Sequence, residues 1–194
     1  MSQATSVRGG WVTLEPVTPL NWPEVRRLDQ IRQWSASLGG APARADASTP
    51  FGPAMLIRDH RTAMAVGILE NSQMAGYPGV AVVLIYVDEA IARPGLALEA
   101  FAMYVSQVFA AGARMVHFEV LEFNLRVQRS MARLGLKELA RQRDQVYVAG
   151  RFWDLLVYAF DQDEWQRIRG RYARLLPGGD RGPVALGGRR RSGS

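Results

Sequence analysis

The chain has 194 residues, of which 48% are hydrophobic and 22% are charged, with 24 Lys and Arg against 18 Asp and Glu. This length suits one domain, and the composition is too apolar for a disordered chain and too polar for a membrane protein. The absence of cysteine excludes disulfides, thiolate nucleophiles and Cys-ligated metals, and two histidines, His60 and His117, do not favour a metal site. Because no apolar run is long enough for a signal peptide or a membrane span, we expect a cytoplasmic protein that contacts no membrane and holds no metal.

Half of the net charge of +6 lies near the end of the chain. Residues 177–194 read PGGDRGPVALGGRRRSGS, which carries four Arg and one Asp and has no apolar period. Such a Gly- and Arg-rich segment is typical of a disordered tail. We therefore predict a flexible segment over 1–9, one folded domain over 10–176 and a disordered tail over 177–194.

The first half of the domain alternates between strand and helix signals. Residues 10–19 alternate with period two and predict a strand, and the Trp-Pro start at 22–23 opens a helix with apolar residues at helical spacing. A small-residue, Pro-rich loop follows over 39–52. Residues 54–70 contain two apolar runs around a polar turn, which predicts a hairpin. The apolar, β-branched run over 80–87 predicts a central strand covered on both faces.

The second half repeats this order. Residues 95–111 have helical spacing and end at a glycine, and residues 114–123 alternate as a strand. Asn124 then predicts the N-cap of a helix that Gly135 closes. Two strands over 145–149 and 151–160 and a charged helix over 163–176 complete the predicted elements. The sum is an α/β (α+β) domain with a mixed sheet flanked by helices.

Three segments carry a resemblance to a known family. They are PGLALEAF at 94–101, FEVLEFN at 118–124 followed by RLGL at 133–136, and GRFWDLLVYAFDQDEW at 150–165. In this order and at these spacings they resemble the GNAT superfamily of N-acetyltransferases, in particular the branch with the ribosomal-protein alanine acetyltransferases. The resemblance covers residues 10–168 and implies a single domain with a central mixed, mostly antiparallel sheet.

The resemblance implies that acetyl-CoA or another acyl-CoA is the co-substrate. A tight Gly-containing turn that opens a helix aims free N–H groups at one point, and a pyrophosphate fits there. In the family two strands also separate so that the pantetheine arm can pair with their backbones. Where the family has Arg or Gln at the start of the turn, this chain has Ala92. The residues that the resemblance assigns to CoA are Val87, Arg93, Gly95, Leu96, Ala97 and Asn124.

The implied reaction is attack of an amine on a thioester, which needs a base for the amine and an acid for the leaving thiolate. The family's acid positions on the helix after the Asn are occupied by Val127 and Met131, with Ser130 one position away. His117 and Glu119 share one face of their strand and are the candidate bases. The predicted catalytic residues are thus His117, Glu119 and Ser130.

The acceptor is an amine of a small molecule or a peptide, and Trp34, Tyr147 and Asp154 are predicted to bind it. Two alternatives remain open. An acyltransferase of the same fold would take its acyl group from an aminoacyl-tRNA, with the basic tail binding phosphate. A non-catalytic binding protein would retain only the fold. The chain is expected to be a monomer or a homodimer.

Overall fold

The fold is described from a computed structural model, which covers residues 5–35, 48–88, 90–148, 150–172 and 184–185. The helices in this part of the chain are α1 (Trp22–Ser35), α2 (Leu96–Ala110), α3 (Leu125–Leu134) and α4 (Gln162–Tyr172). The strands are β1 (Val7–Arg8), β2 (Val12–Pro16), β3 (Ser48–Thr49), β4 (Gly52–Pro53), β5 (Met55–Asp59), β6 (Ala65–Gln73), β7 (Val80–Val87), β8 (Met115–Leu121), β9 (Glu138–Val148), β10 (Arg151–Asp161) and β11 (Val184–Ala185).

Nine of these strands form one sheet in the order β11-β1-β2-β5-β6-β7-β8-β10-β9, and β3 and β4 form a separate small hairpin. Within the sheet every neighbouring pair is antiparallel except β7 and β8. Those two strands are parallel, and α2 forms the crossover that a parallel pair requires. The predicted fold class, a mixed and mostly antiparallel sheet flanked by helices, is confirmed.

The helices cover the two faces of the sheet unequally. Apolar residues of α2 and α4 share one core cluster with alternate residues of β8, namely Val116, Phe118 and Val120. On the opposite face, Val25 and Leu28 of α1 pack in a smaller cluster against β5 and β6. The residues of β8 that alternate with the first set therefore belong to the α1 face.

Trp165 fixes α4 to the larger core. It is fully buried, and its ring stacks on Phe160 with centroids 5.5 Å apart and meets Phe101 edge-on at 6.4 Å. Its indole nitrogen donates a hydrogen bond to Ser106 Oγ at 3.2 Å. A buried tryptophan is stable in this position because both its apolar ring and its N–H group have partners.

Most predicted elements are confirmed with small shifts at their ends, and the differences occur where the apolar pattern is weak. Strand β9 begins at Glu138 rather than at 145, because an edge strand exposed on both faces has no alternation to detect. The predicted loop over 39–52 ends in the β3–β4 hairpin, and its residues 39–47 lie outside the described residues. Strands β1 and β11 pair at the other sheet edge, in segments where the sequence predicts no element.

Candidate active site

The parallel strands β7 and β8 pair only along their first halves. Pairing joins residues 80–83 to residues 115–118 and then stops. Beyond this point β7 continues alongside β6, and β8 continues alongside β10. The two strands therefore diverge into an opening between residues 84–87 and 119–121, which we call the fork. No ladder pair within the described residues joins the two sides of the fork, so their facing backbone groups are available to a ligand.

The fork also explains an incorrect prediction about β7. The sequence predicts a strand covered on both faces, but Leu84 is 37% exposed and residues 85–87 are only half-buried. Leu84 follows the last paired residue, so its neighbour on β8 has moved away. Apolar residues that line an opening and apolar residues in a core have the same sequence pattern.

Helix α2 begins beside the fork, at the end of the sheet where β7 and β8 have their carboxyl ends. Its N-cap is Gly95, which has a φ of 87°, a conformation that favours glycine. The amide of Leu96 donates to the carbonyl of Arg93 at 3.3 Å. The amides of Gly95, Ala97 and Leu98 have no acceptor inside the helix, because helices begin with unpaired N–H groups. Together with the positive end of the helix dipole, they form a place where an anion is stabilised.

The side chains of the residues predicted to bind CoA around this turn are buried, half-buried or paired within the protein. The side chain of Leu96 is fully buried, whereas Val87 and Ala97 are half-buried. Arg93 is directed to the protein interior, where its Nη2 donates to Asp59 Oδ1 at 2.7 Å and its guanidinium lies 5.2 Å from the centre of the Trp11 ring. The cation nearest to the turn therefore has a structural partner.

On the other side of the fork, Asn124 is the N-cap of α3. Its Oδ1 accepts a hydrogen bond from the amide of Val127 at 3.2 Å, which confirms the predicted capping role. Gly135 ends this helix with a φ of 77°, as predicted. Because α3 starts directly after β8, Asn124 lies at the mouth of the fork.

The two candidate bases lie on the α1 face of β8 but at different depths. His117 is half-buried and pairs with Val82 and Ala159, within the closed part of the sheet. Glu119 is exposed and is the first residue of β8 beyond the paired segment. Of the two groups, only Glu119 is placed at the fork.

Helix α3 places no hydroxyl at the positions where the family resemblance puts the acid. Met131 is buried in the core and Val127 packs against it. Ser130 is half-buried and its hydroxyl donates to the carbonyl of Arg126 at 3.0 Å, a local bond within the helix. The predicted role of Ser130 therefore competes with this bond.

The β9–β10 hairpin extends beside the β8–α3 turn and exposes aromatic side chains. Tyr147 and Phe152 are 57% and 59% exposed, and their ring centres are 5.0 Å apart. Phe123 contacts Trp153 edge-on at 4.8 Å, and the Arg151 guanidinium lies over the Trp153 ring. Tyr147, which the sequence predicts to bind the acceptor, thus lies in an exposed aromatic surface near the α3 side of the fork.

Asp154, the second predicted acceptor residue, stabilises a bulge in this hairpin. Its carboxylate accepts hydrogen bonds from the Asp144 amide at 3.1 Å and from Arg141 at 3.4 Å. Asp144 has a φ of 50°, and the β9–β10 register shifts opposite it. The hydrogen bond to Glu138 and, with a smaller effect, the one to Asp154 raise the pKa of the Arg141 guanidinium. Asp154 therefore has a structural role whether or not it also contacts an acceptor.

Neither a family model nor a curated protein sequence matches the chain. Its fold is nevertheless similar to those of several solved acetyltransferases. The GCN5-related N-acetyltransferase from Brucella melitensis has a TM-score of 0.67 at 20% identity, over 91% of this chain and 87% of that one. The ribosomal-protein-S5-alanine acetyltransferase from Vibrio fischeri has a TM-score of 0.66 at 12% identity, over 84% of this chain and 99% of that one. RimJ from Mycobacterium smegmatis, solved with CoA-disulfide, has a TM-score of 0.62 at 18% identity, over 86% and 92% of the two chains.

The chain has the GNAT acetyltransferase fold. The resemblance predicted from the sequence motifs is thereby confirmed at the level of the fold. Within the GNAT fold the fork and the α2 turn lie at one edge of the sheet, with the β8–α3 turn beside them. Trp34 belongs to α1, but its side chain lies outside the part of the structure that is described.

Sequence reasoning missed three side chains that hold the α2 turn of this GNAT fold: Trp11, Asp59 and Glu99. Asp59 is 2% exposed, and Glu99 is 7% exposed and accepts hydrogen bonds from the Gly10 and Trp11 amides. Burial alone raises the pKa of Asp59, but hydrogen bonds from the Arg61 amide and from Arg93 outweigh it and hold that pKa below its ordinary value. In the sequence, Asp59 stands in a polar segment between two apolar runs. This pattern indicates a turn and gives no sign of its partner Arg93.

Among the residues that the structure describes, no group of three or more His, Asp or Glu side chains is arranged to hold a metal ion. None of the helices in the same residues is long and apolar enough to cross a bilayer.

Proposed function

We propose that this protein transfers an acetyl or other acyl group from acyl-CoA to an amine of a small molecule or peptide. The observation that carries the proposal is the fork. The two parallel strands β7 and β8 separate toward their carboxyl ends, where α2 and α3 begin. Similarity to solved acetyltransferases, one of them in complex with CoA-disulfide, supports the same reading.

The groups at the fork fit the chemistry of an acyl-CoA. A pantetheine arm carries two amides, which need backbone donors and acceptors of the kind that the open edges of β7 and β8 present. A pyrophosphate needs several N–H donors at a helix start, and the amides of Gly95, Ala97 and Leu98 are of this kind. We therefore assign the arm to the fork and the phosphates to the α2 turn.

The thioester supplies an activated acyl group, and the protein has to orient the amine and remove its proton. The amine nitrogen bonds to the carbonyl carbon, the carbon–sulfur bond breaks, and CoA leaves as a thiolate. Glu119 is the group we assign to take the amine proton, because it is exposed and begins the open part of β8. Holding the amine against the thioester lowers the barrier further, by up to about 7–11 kcal/mol when the reacting atoms are well oriented.

The leaving thiolate needs little help from the protein. A thiol pKa of about 8.5 makes the thiolate a competent leaving group at neutral pH. Val127 and Met131 offer no proton, and the Ser130 hydroxyl is bonded to Arg126. We propose that the thiolate takes its proton from water.

The same observation favours a second candidate, a protein that binds acyl-CoA without transferring the acyl group. The absence of a hydroxyl at Val127 and Met131 is compatible with either function. The third candidate function, an acyltransferase with an aminoacyl-tRNA donor, depends on the basic tail. Most of this tail lies outside the described residues.

Binding and turnover together separate these functions. The purified chain is titrated with acetyl-CoA by calorimetry and with charged tRNA at two salt concentrations, and thiol release is then followed with a panel of amines and amino-terminal peptides. Acetyl-CoA binding with amine-dependent thiol release supports the transferase. Binding without release supports the binding protein, and binding of tRNA alone supports the tRNA donor.

A further inference from the structure

Arg93 links the α2 turn to a strand that is distant in sequence. Its Nη2 donates to Asp59 Oδ1 at 2.7 Å across 34 residues, and Asp59 ends strand β5. The same carboxylate oxygen accepts the Arg61 amide at 3.0 Å. Because Asp59 is 2% exposed and Arg93 is 29% exposed, this ion pair is largely shielded from solvent.

Trp11 lies against both ends of the same turn. The Arg93 guanidinium is 5.2 Å from the centre of its ring, and Arg93 Nη2 also reaches the Trp11 carbonyl at 3.4 Å. At the other end, a Cβ placed on Gly95 would lie 2.6 Å from Trp11 Cζ3. The turn from Arg93 to Gly95 therefore rests on one indole ring.

The backbone of Trp11 is itself fixed from two directions. Glu99 on α2 accepts hydrogen bonds from the Gly10 amide at 2.6 Å and from the Trp11 amide at 2.9 Å. The His60 amide donates to the Trp11 carbonyl at 2.9 Å. The backbone of Trp11 is therefore held between α2 and His60, the residue that follows β5.

We propose that Trp11 and Asp59 are positioning residues for the donor phosphates and act through Arg93, which fixes the turn instead of contacting the phosphates. This inference rests on the proposed acyl-CoA donor. It assigns phosphate binding to neutral backbone amides and gives the neighbouring cation an internal role. The side chain of Ala92 can neither donate a hydrogen bond to a phosphate nor anchor the turn. The turn therefore has to be anchored by other side chains, and we assign this role to Trp11, Asp59 and Arg93.

The alternative is that Arg93 leaves Asp59 and contacts the phosphates when CoA binds. The two readings give opposite results for Asp59→Asn. If Asp59 positions the turn, the variant binds CoA about tenfold more weakly, equivalent to about 1.4 kcal/mol. If Asp59 merely holds Arg93 away from the ligand, the variant binds CoA equally well or more tightly, and our inference is overturned.

The experiment measures the affinity of the full chain for CoA and for pantetheine, which lacks the phosphates. We expect Asp59→Asn and Arg93→Met each to weaken CoA binding about tenfold and to leave pantetheine binding unchanged. The double variant should bind no more weakly than the single ones, because the two residues act as one unit. Glu15→Gln is the matched control, since Glu15 pairs with Arg58, next to Asp59 on β5, and does not contact the turn. Additive losses, or equal losses for both ligands, would contradict the proposal.

Salt dependence gives a second and independent readout. Removal of a cation that contacts a phosphate lowers the slope of log affinity against log salt, in nucleic acids by about one per contact. We expect wild type and Arg93→Met to have the same slope. If Arg93→Met does not fold, Arg93→Gln serves instead: it removes the charge but can still donate a hydrogen bond to Asp59, so an unchanged slope supports positioning and a lower slope contradicts it. If wild type binds no CoA at all, the proposed function fails rather than this assignment.

Discussion

The two sides of the fork are built differently. On the α2 side, buried side chains from β5, α2 and the segment before β2 hold a turn that we propose binds the donor phosphates through backbone amides. On the α3 side, the positions that the family resemblance assigns to the acid carry Val127 and Met131, and the adjacent hairpin exposes aromatic rings. Donor binding through a backbone depends only on the shape of the turn, whereas proton transfer depends on particular side chains. In the proposed transferase, sequence change on the α3 side would therefore alter the chemistry more readily than donor binding.

The α2 side should be the more sensitive to a single methyl group. Gly95→Ala introduces both a strained φ of 87° and a Cβ 2.6 Å from Trp11, whereas Gly150→Ala has a similar φ of 85° and no atom within 4 Å. We expect losses of about 3 kcal/mol for Gly95→Ala and about 1 kcal/mol for Gly150→Ala, because overpacking adds to the strain only at Gly95. Urea unfolding measures both, and equal losses would show that Trp11 does not confine the turn.

The β8 edge of the fork should carry the largest effect on rate. We expect Glu119→Gln to lower kcat about a hundredfold, equivalent to about 2.7 kcal/mol in the barrier, because an amide cannot take the proton of the amine. His117→Gln should lower kcat less than tenfold, since His117 lies within the paired part of β8. Thiol release under saturating acetyl-CoA gives both rates. The reverse ranking would assign the base to His117.

Asp59 should make the α2 side sensitive to acid. Its pKa is lowered in the folded protein, so its contribution to stability is present above the unfolded value of about 3.9 and is lost as the pH falls through the folded value. We expect Asp59→Asn to cost about 2 kcal/mol at pH 7, where charged hydrogen bonds are lost, and progressively less below pH 4. Tm measured for both proteins from pH 7 to pH 3 tests this convergence, and a constant difference would contradict it.

Ser130 should give the smallest effect. Its hydroxyl donates to the Arg126 carbonyl, so Ser130→Ala should lower kcat less than tenfold, or under about 1.4 kcal/mol. Steady-state rates with acetyl-CoA measure this loss. An inactive but folded variant would mean that the hydroxyl leaves its helical bond and protonates the thiolate.

The fold could be predicted from sequence where period and punctuation agree. Gly95, Asn124 and Gly135 mark helix ends in the sequence and do so in the structure. The start of β9 could not be predicted, because its residues from Glu138 onward are exposed and carry no alternation. The fork is hidden for the opposite reason, since Leu84 has the apolar character of a core residue.

The site was harder to predict because its decisive contacts are distant in sequence. Arg93 stands beside the turn, and local reasoning assigns it to the phosphates; its partner Asp59 comes from another strand. Glu119 and His117 differ by two residues on one face of β8. They differ because the pairing of β8 with β7 ends between them, so that His117 lies in the paired part of the strand and Glu119 in the open part.

The bulge in β9 has a consequence for contacts between copies of the chain. With 11 residues, β9 is a long edge strand, and such edges can recruit the strands of other molecules into aggregates. Asp144 interrupts its ladder with a φ of 50°, and Arg141 and Arg143 place charges along it. An interrupted ladder and charged side chains are features that disfavour the addition of a strand from a second chain. A shortened β9 without Asp144 would present a straighter edge and favour fibrous association at high concentration.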